Sequence, residues 1–341
     1  MSLENLKISH QYFLDRTTLI FGETGTGKSF IMTDILYQLK SFVDQIIVVS
    51  PMDRQNHTYD KHMVPPPFIH YDITKELLNN IWERQNAFAS VYARANNEDI
   101  IKSLFERIPR NDRAHDVIRA IQTKLHDCEK AIPRDCKNRD KKISKMKAEY
   151  NETVKKIWKS RIDKYRKDIA ALDLSEDEQY TLKYINFNPR LVLVLDDCTD
   201  LLDKFKSHPV IKKLFYQGRW AHITALIACH TDKALNPELK KNSFVNIFTE
   251  MSCARAYFSR PSNNFDKESY NNAINMCKIA FSPIDEHQKL VWIRDEKRYY
   301  KYTAVPHSGF RFGSEHMWEY GEKIQAEKNK LINNKFISDF E

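Results

Sequence analysis

Glycine is scarce in this chain: its 341 residues include only 7 glycines, and several of these fall in one short stretch near the N-terminus. Because glycine is the usual residue of tight turns, we expect the rest of the chain to build few such turns and to be rich in helices. Long hydrophobic runs are lacking too, since no apolar stretch approaches the roughly 18 residues that a membrane-spanning helix needs. We therefore expect no membrane span.

Two further absences bear on the compartment. The 6 cysteines include no C-x-x-C pair, which is typical of reduced thiols in a cytosolic setting. The N-terminal sequence Met-Ser-Leu-Glu-Asn-Leu-Lys lacks the apolar segment of a signal peptide.

The charge is unbalanced, with 54 Lys and Arg against 46 Asp and Glu and a formal net charge of +8. A basic excess favours a polyanionic partner such as nucleic acid, although it is weak evidence by itself.

The glycine-rich stretch forms a G-x-x-x-x-G-K-S motif, which we call the phosphate loop. Its residues are Gly22, Glu23, Thr24, Gly25, Thr26, Gly27, Lys28 and Ser29. The loop follows a strand-like run, Thr17–Phe21, and precedes apolar residues at helical spacing. Backbone N–H groups of such a loop and the positive end of the next helix bind phosphates. Lys28 is expected to reach the β- and γ-phosphates, and the Ser29 hydroxyl to hold Mg²⁺. The motif therefore predicts binding of a nucleoside triphosphate, with ATP and Mg²⁺ as cofactors.

Apolar runs of strand length recur along the chain and alternate with helical patterns. They are Gln45–Ser50, Leu191–Leu195, Ile223–Cys229 and Phe244–Thr249, followed by the pair Lys289–Asp295 and Tyr299–Val305 around Glu296-Lys297-Arg298. Strands that alternate with helices after a phosphate loop predict an α/β P-loop NTPase fold with a central, mostly parallel sheet. The last pair of runs predicts a C-terminal β-hairpin.

The charge distribution suggests four segments. We expect residues 1–109 and 186–312 to form the two parts of an ATPase core, 110–185 a basic helical insertion and 313–341 a charged helical tail. Between Lys137 and Asp168 there are 13 Lys and Arg against five acids, with a thin apolar stripe at helical spacing. This pattern fits either the solvated face of a structural helix pair or a surface that contacts DNA phosphates.

Two adjacent acids, Asp196 and Asp197, end the apolar run that begins at Leu191. Because parallel strands present their carboxyl ends at one edge of a sheet, we expect both acids to lie beside the phosphate loop. Asp196 can bind Mg²⁺ directly or through water, and Asp197 can orient or deprotonate the attacking water. His230 ends the next strand and is a candidate contact of the γ-phosphate or the water; the alternative is a structural histidine. Arg219 precedes that strand and is either a surface residue or an arginine that reaches a neighbouring subunit's nucleotide.

The order of these motifs resembles that of a known group. The motifs are G-E-T-G-T-G-K-S, I-I-V-V-S-P, L-V-L-V-L-D-D-C, Q-G-R-W-A-H-I-T-A-L-I-A-C-H and K-L-V-W-I-R-D with Y-Y-K-Y. They are similar to the poxvirus-type genome-packaging ATPases of large DNA viruses, P-loop motors of the RecA-like, FtsK–HerA type. The resemblance covers about residues 16–55 and 186–305. It implies that Asp197 is the catalytic acid, that Arg219 acts in trans, and that His230 stands where the family usually has Gln.

The resemblance also implies partners. Members of that family are ring oligomers, commonly hexamers or pentamers, that translocate double-stranded DNA into a capsid. It therefore implies double-stranded DNA, a homo-oligomeric ring and a capsid or portal protein as partners, with the host-cell cytoplasm or the virion as the location. The motifs leave open a P-loop helicase or recombination ATPase, a small-molecule P-loop kinase, and a DNA-binding structural protein that merely retains nucleotide. A GTPase is disfavoured, because no N-K-x-D motif occurs.

Overall fold

The structure, a computed structural model, describes residues 3–60, 63–109, 112–133, 135–282, 287–307 and 309–338, without the side chains of 331–338. It divides into two compact units. Unit 1 comprises Met1–Ala89 and Pro189–Glu341, and unit 2 comprises Ser90–Asn188. The segment expected to form a basic insertion, 110–185, falls within unit 2.

The strands of the described residues all belong to unit 1. They are β1 Thr17–Phe21, β2 Gln45–Val49, β3 Ile69–His70, β4 Leu191–Leu195, β5 Ile223–Cys229, β6 Val245–Phe248, β7 Gln288–Ile293 and β8 Arg298–Thr303. They form one sheet in the order β3-β2-β4-β5-β1-β6-β7-β8. All neighbours from β3 to β6 are parallel, whereas β7 and β8 are antiparallel. The predicted α/β P-loop fold with a mostly parallel sheet and a C-terminal hairpin is confirmed.

Helices surround the sheet and make up unit 2. They are α1 His10–Phe13, α2 Lys28–Leu39, α3 Asp53–Asn56, α4 Lys75–Ala95, α5 Glu98–Glu106, α6 Ala114–Ala131, α7 Arg139–Lys164, α8 Arg166–Ala170, α9 Glu176–Tyr184, α10 Thr199–Phe205, α11 Pro209–Gln217, α12 Pro237–Lys240, α13 Met251–Ser259, α14 Lys267–Ala280 and α15 Glu315–Ser338. Short 3₁₀ turns occupy Pro66–Phe68, Asp232–Ala234 and Pro261–Asn263. Within the described residues, no helix combines the length and the apolar character that crossing a membrane requires.

The sheet is buried on both faces, which explains why its strands are continuous apolar runs rather than alternating ones. In β4, Leu191, Leu193 and Leu195 pack into one core with α11, α13 and α14, while Val192 and Val194 pack into a second core with α2. Because β1 and β4 both pair in parallel with β5, the carboxyl ends of these three strands lie at one common edge of the sheet.

A buried carboxylate joins the phosphate-loop helix to the C-terminal hairpin. Asp34, on α2, accepts hydrogen bonds from Tyr302 Oη at 2.7 Å, from the Val305 backbone N–H at 2.8 Å and from His307 Nε2 at 2.9 Å. Burial, together with Asp34, raises the pKa of Tyr302. The segment that leaves β8 is thereby fixed against the helix that begins at Lys28.

Unit 2 is a helical body with its own core, formed by Ile101, Leu104, Phe105, Ile162, Ile169 and other apolar side chains of α5 to α9. Its helices α6 and α7 pack against each other. Many of its basic side chains have partners inside the unit. Such contacts include Lys156 with Glu152, Lys147 with Glu129, Arg161 and Lys164 with Asp112, and Lys155 with the Asn96 carbonyl. Burial and the neighbouring Lys155 lower the pKa of Lys159 to about 8.

The segment that follows β5 is held by a buried charge network. Asp232 accepts hydrogen bonds from Lys240 Nζ at 2.7 Å, from Arg260 at 2.8 Å on each oxygen and from Asn263 Nδ2 at 3.2 Å. Burial alone would raise the pKa of Asp232, but the hydrogen bonds from Arg260 and Lys240 outweigh it and lower that pKa. The network fixes the backbone immediately after His230.

We expect Asp232→Asn to lower the free energy of unfolding by about 3–5 kcal/mol, because it leaves the buried Lys240 without its carboxylate. The lowered pKa means that the stabilisation is complete above the unfolded-state pKa of about 3.9 and is lost as the pH falls through the folded value. Urea unfolding at pH 7 measures the loss. The exposed pair Asp203–Lys206 provides the control, since Asp203→Asn should change stability by no more than about 1 kcal/mol. Equal losses in the two variants would contradict the assignment.

Candidate active site

The phosphate loop connects β1 to α2 at the carboxyl edge of the sheet. Its turn depends on glycine, because Gly25 and Gly27 have φ values of 81° and 88° in the left-handed region. Gly27 caps α2, so the positive end of a 12-residue helix faces the loop. Lys28 Nζ donates to the carbonyl oxygens of Gly22 at 2.9 Å and Glu23 at 2.8 Å. The predicted placement between a strand and a helix is what the structure has.

Gly22 is needed because neighbouring side chains approach its backbone closely, and not because of its φ value. A Cβ at this position would lie 1.8 Å from Thr249 Oγ1 and 2.6 Å from Thr26 Oγ1. Thr249 directly follows β6, and its hydroxyl lies 3.2 Å from the Phe21 carbonyl and 2.8 Å from Thr26 Oγ1. Sequence analysis missed Thr249, because a threonine at the end of a strand carries no motif.

Asp196 lies beside the start of α2, as its place after β4 predicted. Its side chain is buried, with the residue 4% exposed, and Oδ2 accepts hydrogen bonds from Ser29 Oγ at 3.1 Å and Tyr59 Oη at 2.8 Å. Burial raises the pKa of Asp196, although the bonds from Tyr59 and Ser29 act in the opposite direction. A hydroxyl and a carboxylate oxygen that meet at this point are ligands that suit Mg²⁺, so the donor set fits the predicted metal.

Tyr59 is a residue of the site that sequence analysis did not find. It is fully buried, and burial together with Asp196 raises its pKa well above the usual value. Its backbone N–H and that of Thr58 donate to Asp53 Oδ1 at 3.0 and 2.8 Å, which fixes the chain after α3. Because Tyr59 and Asp196 are 137 residues apart, no spacing rule connects them.

Asp197 and His230 lie against each other, close to the Lys28 ammonium. His230 Nε2 lies against Asp197 Oδ1, and His230 Nδ1 is 3.5 Å from Lys28 Nζ. Since a lysine ammonium only donates, its contact with Nδ1 assigns that nitrogen as an acceptor and places the ring proton on Nε2, the nitrogen that faces Asp197. Asp197 has φ 56°, a left-handed conformation that is uncommon outside glycine and that turns its side chain away from the line of β4.

Burial and charge compete at Lys28. Burial lowers the pKa of its ammonium, whereas Asp197 and Asp196 act to raise it, and the net direction is down. The ammonium therefore lies within the electrostatic influence of two acids, and the site concentrates one cation and two carboxylates around the phosphate loop.

The strand order explains why His230 joins this group. Since β5 lies between β1 and β4, the residue that directly follows β5, His230, falls between the phosphate loop and the two acids. The His230 backbone N–H also donates to Thr199 Oγ1 at 2.9 Å, which connects it to the segment after Asp197. The structure therefore brings together Lys28, Ser29, Asp196, Asp197 and His230.

Arg219 is not part of this group within one protomer. It lies in the turn before β5, exposed, at the amino-terminal edge of the sheet. Its charge acts there on Arg16, which precedes β1 and whose pKa is lowered by burial and by Arg219. The seven residues of β5 separate this edge from the phosphate loop by roughly 20 Å at 3.3 Å per residue. Within one protomer, Arg219 therefore lies out of reach of the phosphate loop.

Comparison with known sequences finds relatives that extend over the whole chain. This chain is 32% identical to the uncharacterized protein B354L of African swine fever virus isolates Pig/Kenya/KEN-50/1950 and Tick/Malawi/Lil 20-1/1983. Each alignment spans 359 residues and covers 99% of this chain and 97% of the relative. A 72-residue stretch is 38% identical to the uncharacterized protein L437 of Acanthamoeba polyphaga mimivirus, covering 21% of this chain and 25% of that protein. No protein-family model matches the chain.

Solved structures show more distant likeness. The genome packaging NTPase B204 from Sulfolobus turreted icosahedral virus 2, in complex with ATP-γ-S, aligns with a TM-score of 0.38 and 14% identity over 86% of this chain and 98% of B204. The bacterial conjugative coupling protein TrwB, lacking its N-terminal segment, aligns with a TM-score of 0.38 and 11% identity over 91% of each chain. Likeness at this level does not assign an activity.

We expect Gly22→Ala to destabilise the protein by about 1–3 kcal/mol, because the new methyl group overlaps Thr249 Oγ1 and displaces the loop. Thermal unfolding measures the change. Gly25→Ala is the matched control: in the part of the chain that the structure describes, no atom beyond its chain neighbours lies within 4 Å of its Cβ position, so only the cost of its φ of 81° applies. Combining Gly22→Ala with Thr249→Ala should recover part of the loss. Additive losses in the double variant would mean that the two residues do not compete for space.

Proposed function

The chain belongs to the family of the African swine fever virus protein B354L, and from this premise and the site geometry we propose that it is an ATP-hydrolysing DNA motor. Its substrate is ATP, and its mechanical task is to translocate double-stranded DNA into a viral capsid. The observation that carries the proposal is the contact of His230 with Asp197 beside Lys28 of the phosphate loop. A site that only held nucleotide has no need of a second acid oriented by an imidazole.

Each residue has a role that follows from its chemistry. The loop backbone and Lys28 bind the β- and γ-phosphates, and the positive end of α2 adds to this. Asp197 accepts a proton from the attacking water, and the His230 ring, whose Nε2 lies against the carboxylate, limits the orientations open to it. His230 also lies close enough to Lys28 to respond to the γ-phosphate.

Ser29 and Asp196 are the residues that would hold Mg²⁺, which supplies charge neutralisation on the phosphate oxygens when bound. Tyr59 keeps the Asp196 carboxylate in one orientation by donating to Oδ2, as partners of metal-binding carboxylates commonly do. A carboxylate must be ionised to bind a cation. Because burial raises the pKa of Asp196, the hydrogen bond from Tyr59, which acts to lower that pKa, favours the ionised form.

The DNA partner is proposed from the motif order, with support from charge. The net charge of +8 suits a polyanion, and the 13 basic residues between 137 and 168 add to it, although several of them pair within unit 2. We propose a homo-oligomeric ring, a hexamer or pentamer, with a capsid or portal protein as docking partner. A viral packaging role places the protein in the host-cell cytoplasm and at the assembling virion.

A ring gives Arg219 a use. Two aromatic side chains near Arg219 in the sequence, Tyr216 and Trp220, are 51% and 80% exposed. Exposed aromatic residues beside an arginine are typical of protein–protein interfaces. A copy that covers this surface would receive the Arg219 guanidinium at the phosphate end of its own nucleotide.

The decisive experiment is ATP hydrolysis by the full chain, with and without double-stranded DNA. We expect DNA to stimulate the rate, and Asp197→Asn to lower it by about 10²–10⁴-fold while nucleotide binding persists, because only the proton acceptor is lost. The control is Asp203→Asn, an exposed acid on α10 that should leave the rate unchanged. Hydrolysis that survives Asp197→Asn would refute the assigned base. A hydrolysis rate that double-stranded DNA does not change, or phosphate transfer to a small acceptor, would refute the proposal that the protein is a DNA motor.

For Arg219 we expect complementation between subunits. Arg219→Ala and Asp197→Asn should each be inactive alone, since arginine fingers contribute about 10³–10⁵-fold to the rate. Mixed rings should regain part of the activity, because some sites then pair an intact acid with an intact arginine from the neighbour. Hydrolysis is measured across mixing ratios, and mixtures of Lys241→Ala with Asp197→Asn control for dilution. Absence of recovery at every ratio would exclude action in trans.

A further inference from the structure

A cleft of about 360 Å³ adjoins the phosphate loop on the side away from the acids. It is lined by Thr26, Gly27 and Phe30 from the loop and α2, and by Lys289, Ala304 and Pro306 from the C-terminal hairpin and the segment after it. Its volume lies near the lower end of the range of small-molecule sites. Nothing in the hydrolytic group described above uses this cleft.

The sheet order gives the cleft a definite position relative to the acids. On one side of β1, β5 and β4 bring His230, Asp197 and Asp196 to the loop; on the other side, β6 leads to the hairpin of β7 and β8. Because β7 is antiparallel to β6 and pairs with β8, the start of β7 and the end of β8 both lie at the carboxyl edge. A phosphate chain whose terminal phosphate faces the acids therefore points its other end toward this cleft.

Phe30 is the residue of the cleft whose exposed ring suggests a bound aromatic group. It follows Ser29 in the first turn of α2, and it is 60% exposed although it lies beside the phosphate loop. Its ring borders a cleft whose opposite wall carries the apolar side chains of Ala304 and Pro306. A flat aromatic group between such walls removes apolar surface from water and stacks on the ring.

The walls of the cleft are held in place. Asp34, one turn along α2 from Phe30, binds Tyr302, the Val305 backbone and His307, so both walls are attached to the same helix. Lys289 is buried, and its Nζ donates to the Thr26 carbonyl at 2.9 Å, which ties the hairpin to the phosphate loop. A preformed cleft binds with a smaller entropic cost than one that must assemble.

We propose that this cleft binds the nucleoside of the triphosphate, with the nucleobase stacked on Phe30 and the Ala304–Pro306 segment as the second wall. The proposal rests on the proposed function, since it assigns the remaining half of the same substrate. The C-terminal hairpin thus acquires a role in substrate binding, and Lys289 places a positive charge where the sugar–phosphate joins the base-binding cleft.

The test compares two ligands in the presence of Mg²⁺, in a chain that carries Asp197→Asn so that ATP is bound without being hydrolysed: ATP, and inorganic tripolyphosphate, which lacks a nucleoside. Isothermal titration of the full chain measures both dissociation constants. Phe30→Ala should weaken ATP by about tenfold, the size expected for loss of one stacked base, and leave tripolyphosphate unchanged. Phe30→Tyr should retain ATP affinity, because it keeps the ring. Tyr320→Ala removes a similarly exposed aromatic, 59% exposed on α15, and should change neither ligand.

The outcomes separate the two proposals. Selective loss of ATP affinity in Phe30→Ala, with rescue in Phe30→Tyr, supports the nucleoside site. Equal loss for both ligands assigns Phe30 to the shape of the phosphate loop and overturns the proposal, as does unchanged ATP affinity. If the chain that retains Phe30 binds neither ligand, the proposed function fails, and the nucleoside site fails with it.

Discussion

The buried carboxylate of Asp196 is the group on which the site geometry depends. A carboxylate removed from water costs several kcal/mol unless hydrogen bonds replace its hydration. Here the replacements come from Ser29 and Tyr59, so three distant parts of the chain must meet at one oxygen atom. The start of α2, the segment after β2 and the end of β4 are thereby fixed together. A fold that misplaced any of them would leave a charge buried without a partner.

The order of the strands then decides how the remaining groups are distributed. With β1 in the interior of the sheet, one side of the phosphate loop receives the ends of β4 and β5, and the other receives β6 and the hairpin. The polar contacts follow this division: His230 and Asp197 on the first side, Thr249 and Lys289 on the second. The loop is thus held by contacts from both directions, and Asp34 extends this support along α2.

Local sequence was sufficient for the elements but not for all of the site. The strands β1, β4 and β5 coincide with apolar runs, because both faces of the sheet are buried and each run is a continuous signal. The phosphate loop, Asp196, Asp197 and His230 could be placed because each directly follows a strand of that kind. Tyr59, Thr249 and Lys289 could not, since their partners lie 137, 223 and 263 residues away. β3, with two residues, is too short to produce a pattern.

The contacts of Lys28 connect the phosphate-binding site, through His230, to Asp197, the proposed proton acceptor. A lysine ammonium has three protons, and here they face the Gly22 carbonyl, the Glu23 carbonyl and His230 Nδ1. A phosphate oxygen that binds Lys28 must replace at least one of these acceptors. Because His230 Nδ1, at 3.5 Å, is the most distant of the three, it is the contact given up at least cost. A phosphate oxygen can therefore replace the Nδ1 contact while Nε2 of the same ring stays against Asp197, so the group that meets the phosphate chain and the proposed proton acceptor share one side chain as neighbour.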